Sequence, residues 1–144
     1  GEANGVNVID DFAHNPAKIE AVMGAFSAWK KLGRLIVVFQ PHGYGPTRFF
    51  RRELGEIFSR CIRKHDLLMM PEIYYAGGTA SKDISSREIV DEIRANGRDA
   101  RYFKNREEIV PVIAAETSPG DVVLVLGARD NSLTDFCRDI VENL

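Results

Sequence analysis

At 144 residues, 44% of them hydrophobic and 28% charged, the chain has the size and composition of one globular domain with a real core. A net charge of -2 argues against nucleic acid as a main partner, and the longest apolar run is far too short to span a bilayer. Cys61 and Cys137 lack CxxC spacing and fall within helical patterns, so they read as buried free thiols in a reducing cytoplasm rather than metal ligands. No signal-peptide pattern opens the chain. The small, polar stretch Gly1–Gly5 runs straight into a strand, as in a piece trimmed from a longer protein.

Val6 to Phe12 reads as the first strand. Asn15 then caps a helix that has Pro16 at its first position, where the missing N–H is harmless. Ile19, Val22, Met23, Phe26 and Trp29 follow at helical spacing, which carries this helix to about Leu32, with Gly33 as its stop. Leu35–Phe39 is a continuous apolar run, the mark of a strand covered on both faces. Gln40–Thr47, punctuated by Pro41, Gly43, Gly45 and Pro46, reads as a loop. A second helix follows, with Phe50, Leu54, Ile57, Phe58 and Cys61 on one face.

Asp66–Met70 is the third strand, ended by Pro71, and a glycine-bearing loop runs from Glu72 to Asp83. Ser85 or Ser86 caps a helix carrying Ile89, Val90 and Ile93, stopped by Gly97. Ala100–Phe103 is a short fourth strand; Asn105 caps a helix through about Glu116, and Pro119-Gly120 turns the chain. Val122–Leu126 is a second fully apolar strand. The last helix carries Leu133, Phe136, Cys137, Ile140, Val141 and Leu144 as an inward stripe. A β-α rhythm repeated five times calls for one α/β domain: a Rossmann-like, three-layer arrangement with a mainly parallel sheet and helices on both faces.

Open sheets of this kind bind ligands at the carboxyl ends of their strands, and here those ends are polar. The first carries Asp10, Asp11 and His14; the second carries Gln40, His42, Tyr44 and Arg48. The third brings Glu72, Tyr74 and Tyr75, and the last supplies Gly127, Arg129, Asp130 and Asn131. Asp11 is placed either to accept both hydroxyls of a ribose or simply to cap a loop. Neighbouring residues of a strand point to opposite faces, so Asp10 and Asp11 are a poor pair for one Mg²⁺. His14 stands where a helix N-terminus attracts an anion, or where a turn histidine bonds to backbone. Lys18 and Arg48 lie near helix starts, an unfavourable place for a cation without a nearby anion. His65, just before a strand, reads as a surface residue. GxxxxGK[ST], GxSxG, HExxH and GxGxxG are all missing, so no self-contained enzyme is visible.

Four strand-end motifs in order do point somewhere. Val8-Ile9-Asp10-Asp11-Phe12-Ala13-His14-Asn15-Pro16 resembles the opening motif of the C-terminal domain of the Mur ligases. The likeness is to the branch of UDP-N-acetylmuramate–L-alanine ligase and murein peptide ligase, which shows Asp-Asp-Tyr/Phe-Gly/Ala-His-His-Pro there. Val38-Phe39-Gln40-Pro41-His42, Ile73-Tyr74-Tyr75-Ala76-Gly77 and Leu124-Val125-Leu126-Gly127-Ala128 with Asp130 match in register, so the resemblance covers nearly the whole chain.

The resemblance implies an ATP-dependent, cytoplasmic enzyme of peptidoglycan biosynthesis. Its N-terminal and central ATPase domains lie outside residues 1–144, and the central one binds most of the Mg²⁺. The implied reaction forms an acyl phosphate on a UDP-N-acetylmuramate-type carboxylate, which the amine of an amino acid or peptide attacks. It implies Asp11 as the contact to the ATP ribose. Phe12, His14, His42, Tyr44 and Arg48 would belong to the amino-acid site, with Gly127, Arg129, Asp130 and Asn131 on a loop near the substrate. Neither nucleic acid nor membrane is expected as a partner, and this domain alone is expected to be inactive.

The sequence also departs from the branch. Gly43-Tyr44-Gly45-Pro46-Thr47 stands where Arg-Tyr-Thr-Arg-Thr is typical, Asn15 replaces a histidine, and Arg129 replaces a glycine. The incoming amine therefore need not be L-alanine, and Arg48 is a displaced candidate for the missing arginines. The alternative is a non-catalytic α/β nucleotide-binding or signalling module, such as a receiver-like domain. A receiver wants an aspartate after the third strand and a lysine after the fifth, where this chain has Met70-Pro71-Glu72 and Gly127-Ala128-Arg129.

Overall fold

The computed structural model describes residues 1–29 and 33–144. Its strands are β1 (Glu2–Ala3), β2 (Val6–Asp11), β3 (Leu35–Phe39), β4 (Leu67–Pro71), β5 (Ala100–Phe103) and β6 (Val122–Leu126). The helices between and after them are α1 (Pro16–Ser27), α2 (Tyr44–Cys61), α3 (Ser86–Ala95), α4 (Ile109–Glu116) and α5 (Ser132–Asn143). The strands form one sheet in the order β1-β2-β6-β3-β4-β5. All pairs are parallel except the β1–β2 ribbon.

Why β3 and β6 are apolar at every position is now plain. Both lie inside the sheet with helices above and below, and every residue of each is buried. Leu35, Val37, Phe39, Leu124 and Leu126 face α1, α2 and α3, where they meet Ile19, Met23, Leu54, Phe58, Ile89 and Ile93. Ile36, Val38, Val123 and Val125 face α4 and α5, against Ile109, Ile113, Leu133, Phe136 and Ile140. The result is the three-layer α/β domain that the rhythm of the sequence calls for. Among the described residues no helix is long and apolar enough to cross a membrane.

Several boundaries differ from the sequence reading. The first strand ends at Asp11, because its carboxylate accepts the Ala13 N–H at 2.8 Å and turns the chain. A sixth strand, β1, is present: Asn4 and Gly5, at φ 50° and 77°, make a two-residue hairpin that folds Glu2–Ala3 back onto β2. Helix α1 is capped as expected by Asn15, whose side chain accepts the Lys18 N–H at 3.0 Å, but it ends at Ser27. The expected continuation through Lys30–Leu32 lies outside the described residues. Trp29 is not part of the inward stripe; it is 48% exposed and leans on Phe26.

Pro71 belongs to β4, paired with Phe103 of β5, while Asp66 stays in the preceding turn to accept N–H groups of Leu35 and Arg63. Ser85 is the α3 cap, in a reciprocal capping box with Glu88. Asn105 does not cap by its side chain. A 3₁₀ turn over Arg106–Glu108 comes first, and the Asn105 amide donates to Glu108 Oε1 at 2.7 Å.

Candidate functional site

The strand order sets the location of the site. From β6 the chain turns towards α5 on one face of the sheet, whereas from the adjacent β3 it turns towards α2 on the other. Connections that part in this way leave a crevice at the carboxyl edge. The Gly127 N–H donates to the Asp11 carbonyl at 3.2 Å, and the Gln40 N–H to the Leu126 carbonyl at 2.9 Å. Three strand ends are thus held at one level.

Immediately beyond them is a cavity of about 270 Å³. The turn before α1 contributes His14 and Asn15, the turn before α2 contributes Pro41 and His42, and the turn before α5 contributes Ala128 and Arg129. Phe39, Pro46, Thr47, Phe50 and Leu54 complete the lining. The expected site residues His14, His42 and Arg129 therefore converge although they lie far apart in sequence.

The histidines are fixed differently. His14 Nδ1 is 2.8 Å from the Phe12 carbonyl. A carbonyl can only accept, so the proton sits on Nδ1 and Nε2 is left open to bond a ligand. His42 is set by the backbone: it bridges in parallel to Tyr74, and the two rings lie 5.3 Å apart. Two further bonds, Gly43 N–H to the Tyr74 carbonyl and Tyr74 N–H to the Pro41 carbonyl, both 2.8 Å, tie the β3–α2 turn to the β4–α3 loop.

Other expected residues go elsewhere, for local reasons. Phe12 is 76% exposed and shares a separate shallow depression with Asp11 and Lys18. It does not share the cavity that His14 lines. Asp10 accepts the Thr134 hydroxyl at 2.9 Å, on the α5 side. The loop expected over Gln40–Thr47 is shorter, because α2 already starts at Tyr44. Tyr44 turns out of the cavity and packs edge-on against Tyr75 at 5.3 Å. Arg48 is likewise drawn away: its guanidinium donates to Asp83 and to the Ser81 carbonyl, so it does not line the cavity. That pairing answers the puzzle of a cation near a helix start, and the hydrogen bonding from Arg48 holds the Asp83 carboxyl below its usual range.

On the β6–α5 loop, Gly127 is a packing residue rather than a contact. A Cβ there would lie 2.7 Å from Leu133 Cδ1 and 3.3 Å from the Gln40 carbonyl oxygen. Asp130 is buried and turned inward, accepting from Ser132 N–H at 3.0 Å and pairing with Arg106 at 2.5 Å. Burial raises its pKa, but the Ser132 and Arg106 bonds outweigh that and hold the carboxyl below the ordinary value. Asn131 is exposed at the α5 N-terminus and supplies no side-chain cap. Of these residues Arg129 alone lines the cavity; it is exposed and makes no ion pair among the described residues.

Glu72, after β4, is a structural hub. It accepts from Ile73 N–H, Ser86 N–H, Ser85 Oγ and Tyr102 OH at 2.6–3.0 Å. Burial pushes its carboxyl up, but the four bonds carry the net shift downward. A carboxylate so occupied is a poor phosphoacceptor, which counts against the receiver-like alternative. Among the described residues no group of three or more His, Cys, Asp or Glu side chains could hold a metal ion.

Thr47, Pro46, Phe50 and Leu54 were not expected in the site. All four lie on α2, whose early start at Tyr44 rolls them under the cavity. The only sequence signal for this was Pro46, a residue that a first helical turn accepts without strain.

Comparison with known proteins gives this geometry its family. Residues 1–129 match the model of the Mur ligase glutamate ligase domain. The chain belongs to the Mur ligase family. The UDP-N-acetylmuramate–L-alanine ligase of Pelotomaculum thermopropionicum is 40% identical over 131 residues, which are 90% of this chain and 27% of that protein. The corresponding ligase of Mesorhizobium japonicum is 42% identical over 129 residues, again 27% of its length. This Mur ligase domain thus spans about a quarter of the curated relatives it matches. Among solved structures, the murein peptide ligase of Psychrobacter arcticus superposes with a TM-score of 0.69 at 17% identity, over 100% of this chain and 29% of that one. The MurF ligase of Thermotoga maritima in complex with ADP gives 0.59 at 19% identity, over 100% and 31%. Both share the Rossmann-like fold.

Proposed function

We propose that residues 1–144 are the C-terminal domain of a cytoplasmic, ATP-dependent ligase. It would join the carboxylate of a UDP-N-acetylmuramate-type substrate to the amine of an amino acid or peptide, in peptidoglycan synthesis or recycling. The observation that carries this reading is the convergence of His14, His42 and Arg129 on one cavity at the switch point of a Mur ligase domain. The names of the relatives, as UDP-N-acetylmuramate–L-alanine ligases, support the substrate class.

In this reading the domain orients and encloses, while phosphoryl transfer and the Mg²⁺ belong to a central domain outside this chain. Asp11 accepts the ATP ribose hydroxyls through Oδ2, since Oδ1 is engaged by the Ala13 N–H. The exposed ring of Phe12 lies beside it in the same depression as a stacking face for the nucleotide. His14 and His42 hold the incoming amine in the cavity, with the His14 Nε2 lone pair able to accept its proton as the amide forms. Gly127 keeps the β6–α5 turn close enough for this arrangement.

The test is amide formation by the full-length protein, followed by mass spectrometry with ATP, Mg²⁺, UDP-N-acetylmuramate and a panel of amino acids and short peptides. Asp11→Ala is expected to raise the KM for ATP with little change in that for the amine. An unchanged ATP dependence removes the ribose assignment, and no product from any amine removes the ligase reading.

A further inference from the structure

The cavity has an electrostatic character that one residue sets. None of its lining residues is acidic, and Arg129 is the single permanent cation among them. The first turn of α2, Tyr44-Gly45-Pro46-Thr47, carries no charge. Its N-cap, Gly43, offers no side-chain acceptor to the helix N–H groups. Arg129 makes no ion pair among the described residues, whereas Arg106 and Arg48 on the flanking elements are both paired. Its backbone is held at φ 61°, a region that side chains other than Asn, Asp and Gly avoid. The loop on either side cannot relax this. Asp130 is locked by Arg106 and Ser132, and Gly127 is packed against Gln40 and Leu133. An exposed arginine thus lines the cavity from a strained turn, without an ion-pair partner among the described residues.

Much of the remaining lining is apolar, supplied by Phe39, Pro46, Phe50 and Leu54. A volume of about 270 Å³ falls just under the roughly 300–1,000 Å³ typical of drug-sized ligands, and suits an amino acid rather than a nucleotide. We propose that Arg129 anchors the α-carboxylate of the incoming amino acid, whose apolar side chain rests on Phe39, Pro46, Phe50 and Leu54. The substrate class rests on the ligase reading given above; the demand for an anion beside an apolar group rests on the cavity itself. Arg129 is then a specificity-determining residue, because an amine without a carboxylate forgoes the charge-assisted pairing that a free acid gains.

The decisive comparison is between glycine, L-alanine and L-leucine and their α-carboxamides, as substrates of the full-length protein. Each free acid is expected to exceed its amide by 10- to 100-fold in kcat/KM, with leucine and alanine ahead of glycine. Arg129→Gly should erase the acid-to-amide ratio through the KM of the amine and leave the KM of ATP in place; Arg129→Lys should restore part of it. A ratio unchanged in Arg129→Gly overturns the proposal. So does a rise confined to the KM of ATP, which would make Arg129 a phosphate contact. Should no amine be ligated, calorimetric binding of L-leucine and L-leucinamide to the same protein decides independently of catalysis. Carboxylate-dependent binding that Arg129→Gly abolishes upholds the anchor while the ligase reading falls, and equal or absent binding overturns the anchor.

Discussion

The Tyr102 hydroxyl donates to Glu72 Oε2 at 2.8 Å, so one carboxylate after β4 holds the neighbouring strand as well as the N-terminus of α3. The same residue's carbonyl accepts from the buried Gln40 side chain at 2.9 Å, which reaches across from the end of β3. The floor of the candidate site is therefore fastened through Glu72, although Glu72 does not line the cavity.

Glu72→Ala should destabilise the fold by about 3 kcal/mol, because donors on two elements lose a charged acceptor at once; Glu72→Gln should cost about half of that. The pH dependence follows from the direction of the shift. The folded carboxyl titrates below its unfolded value of about 4.3, so its contribution is fully present above that pH and disappears as pH falls through the folded pKa. Urea unfolding at pH 7 and pH 3 checks this. The gap between wild type and Glu72→Gln should narrow at the lower pH, and a constant gap would show that ionisation of Glu72 contributes nothing.

Asp130→Ala should cost about 3 kcal/mol, since it strands the guanidinium of Arg106 against the core. The Asp130 and Arg106 side chains are only 2% and 14% exposed, so water cannot replace the missing partner. Paired substitution to apolar residues of similar size, Asp130→Leu with Arg106→Met, should recover much of the loss. Thermal unfolding of the singles and the double reads the coupling; strict additivity would mean that the pair is not energetically joined.

What the sequence discloses and what it conceals have separate causes. The central strands are legible because residues buried on both faces leave no room for a polar side chain, as in Leu35–Phe39 and Val122–Leu126. His14, His42 and Arg129 are legible as edge residues because each follows an apolar strand within a few positions. The fates of Phe12, Tyr44 and Arg48 are not, since they depend on partners distant in sequence, such as Tyr75 and Asp83. The β1 hairpin is a different case. Asn4-Gly5 is a strong two-residue turn signal, but a two-residue strand leaves no periodicity to support it. Trp29 misled because helical spacing predicts direction only while the helix lasts, and α1 ends at Ser27.

The two thiols should differ in reactivity. Burial, with the Asp10 charge adding to it, pushes the Cys137 thiol up to about 12, while half-buried Cys61 is raised by burial but lies beside Arg60. Only the thiolate alkylates, so iodoacetamide at pH 8 should modify Cys61 slowly and Cys137 only after unfolding. Peptide mass spectrometry over a time course checks the order. Equal rates in the native protein would mean that α5 opens readily from the sheet.

Positions 127 and 129, two residues apart, should respond in opposite directions. Arg129 sits at φ 61°, where a side chain of L chirality costs roughly 1–2 kcal/mol, so Arg129→Gly should stabilise the fold by about 1 kcal/mol after the added flexibility of the unfolded chain is counted. Gly127→Ala places a Cβ 2.7 Å from Leu133 Cδ1, and Leu133 is itself buried, so it should destabilise by about 1–2 kcal/mol. Chemical denaturation of both variants checks the signs. If Arg129→Gly binds L-leucine less well yet unfolds at higher denaturant, the strained turn serves the ligand and not the fold. An Arg129→Gly variant no more stable than wild type would show that the turn holds no strain, and the case for Arg129 would then rest on its charge and position alone.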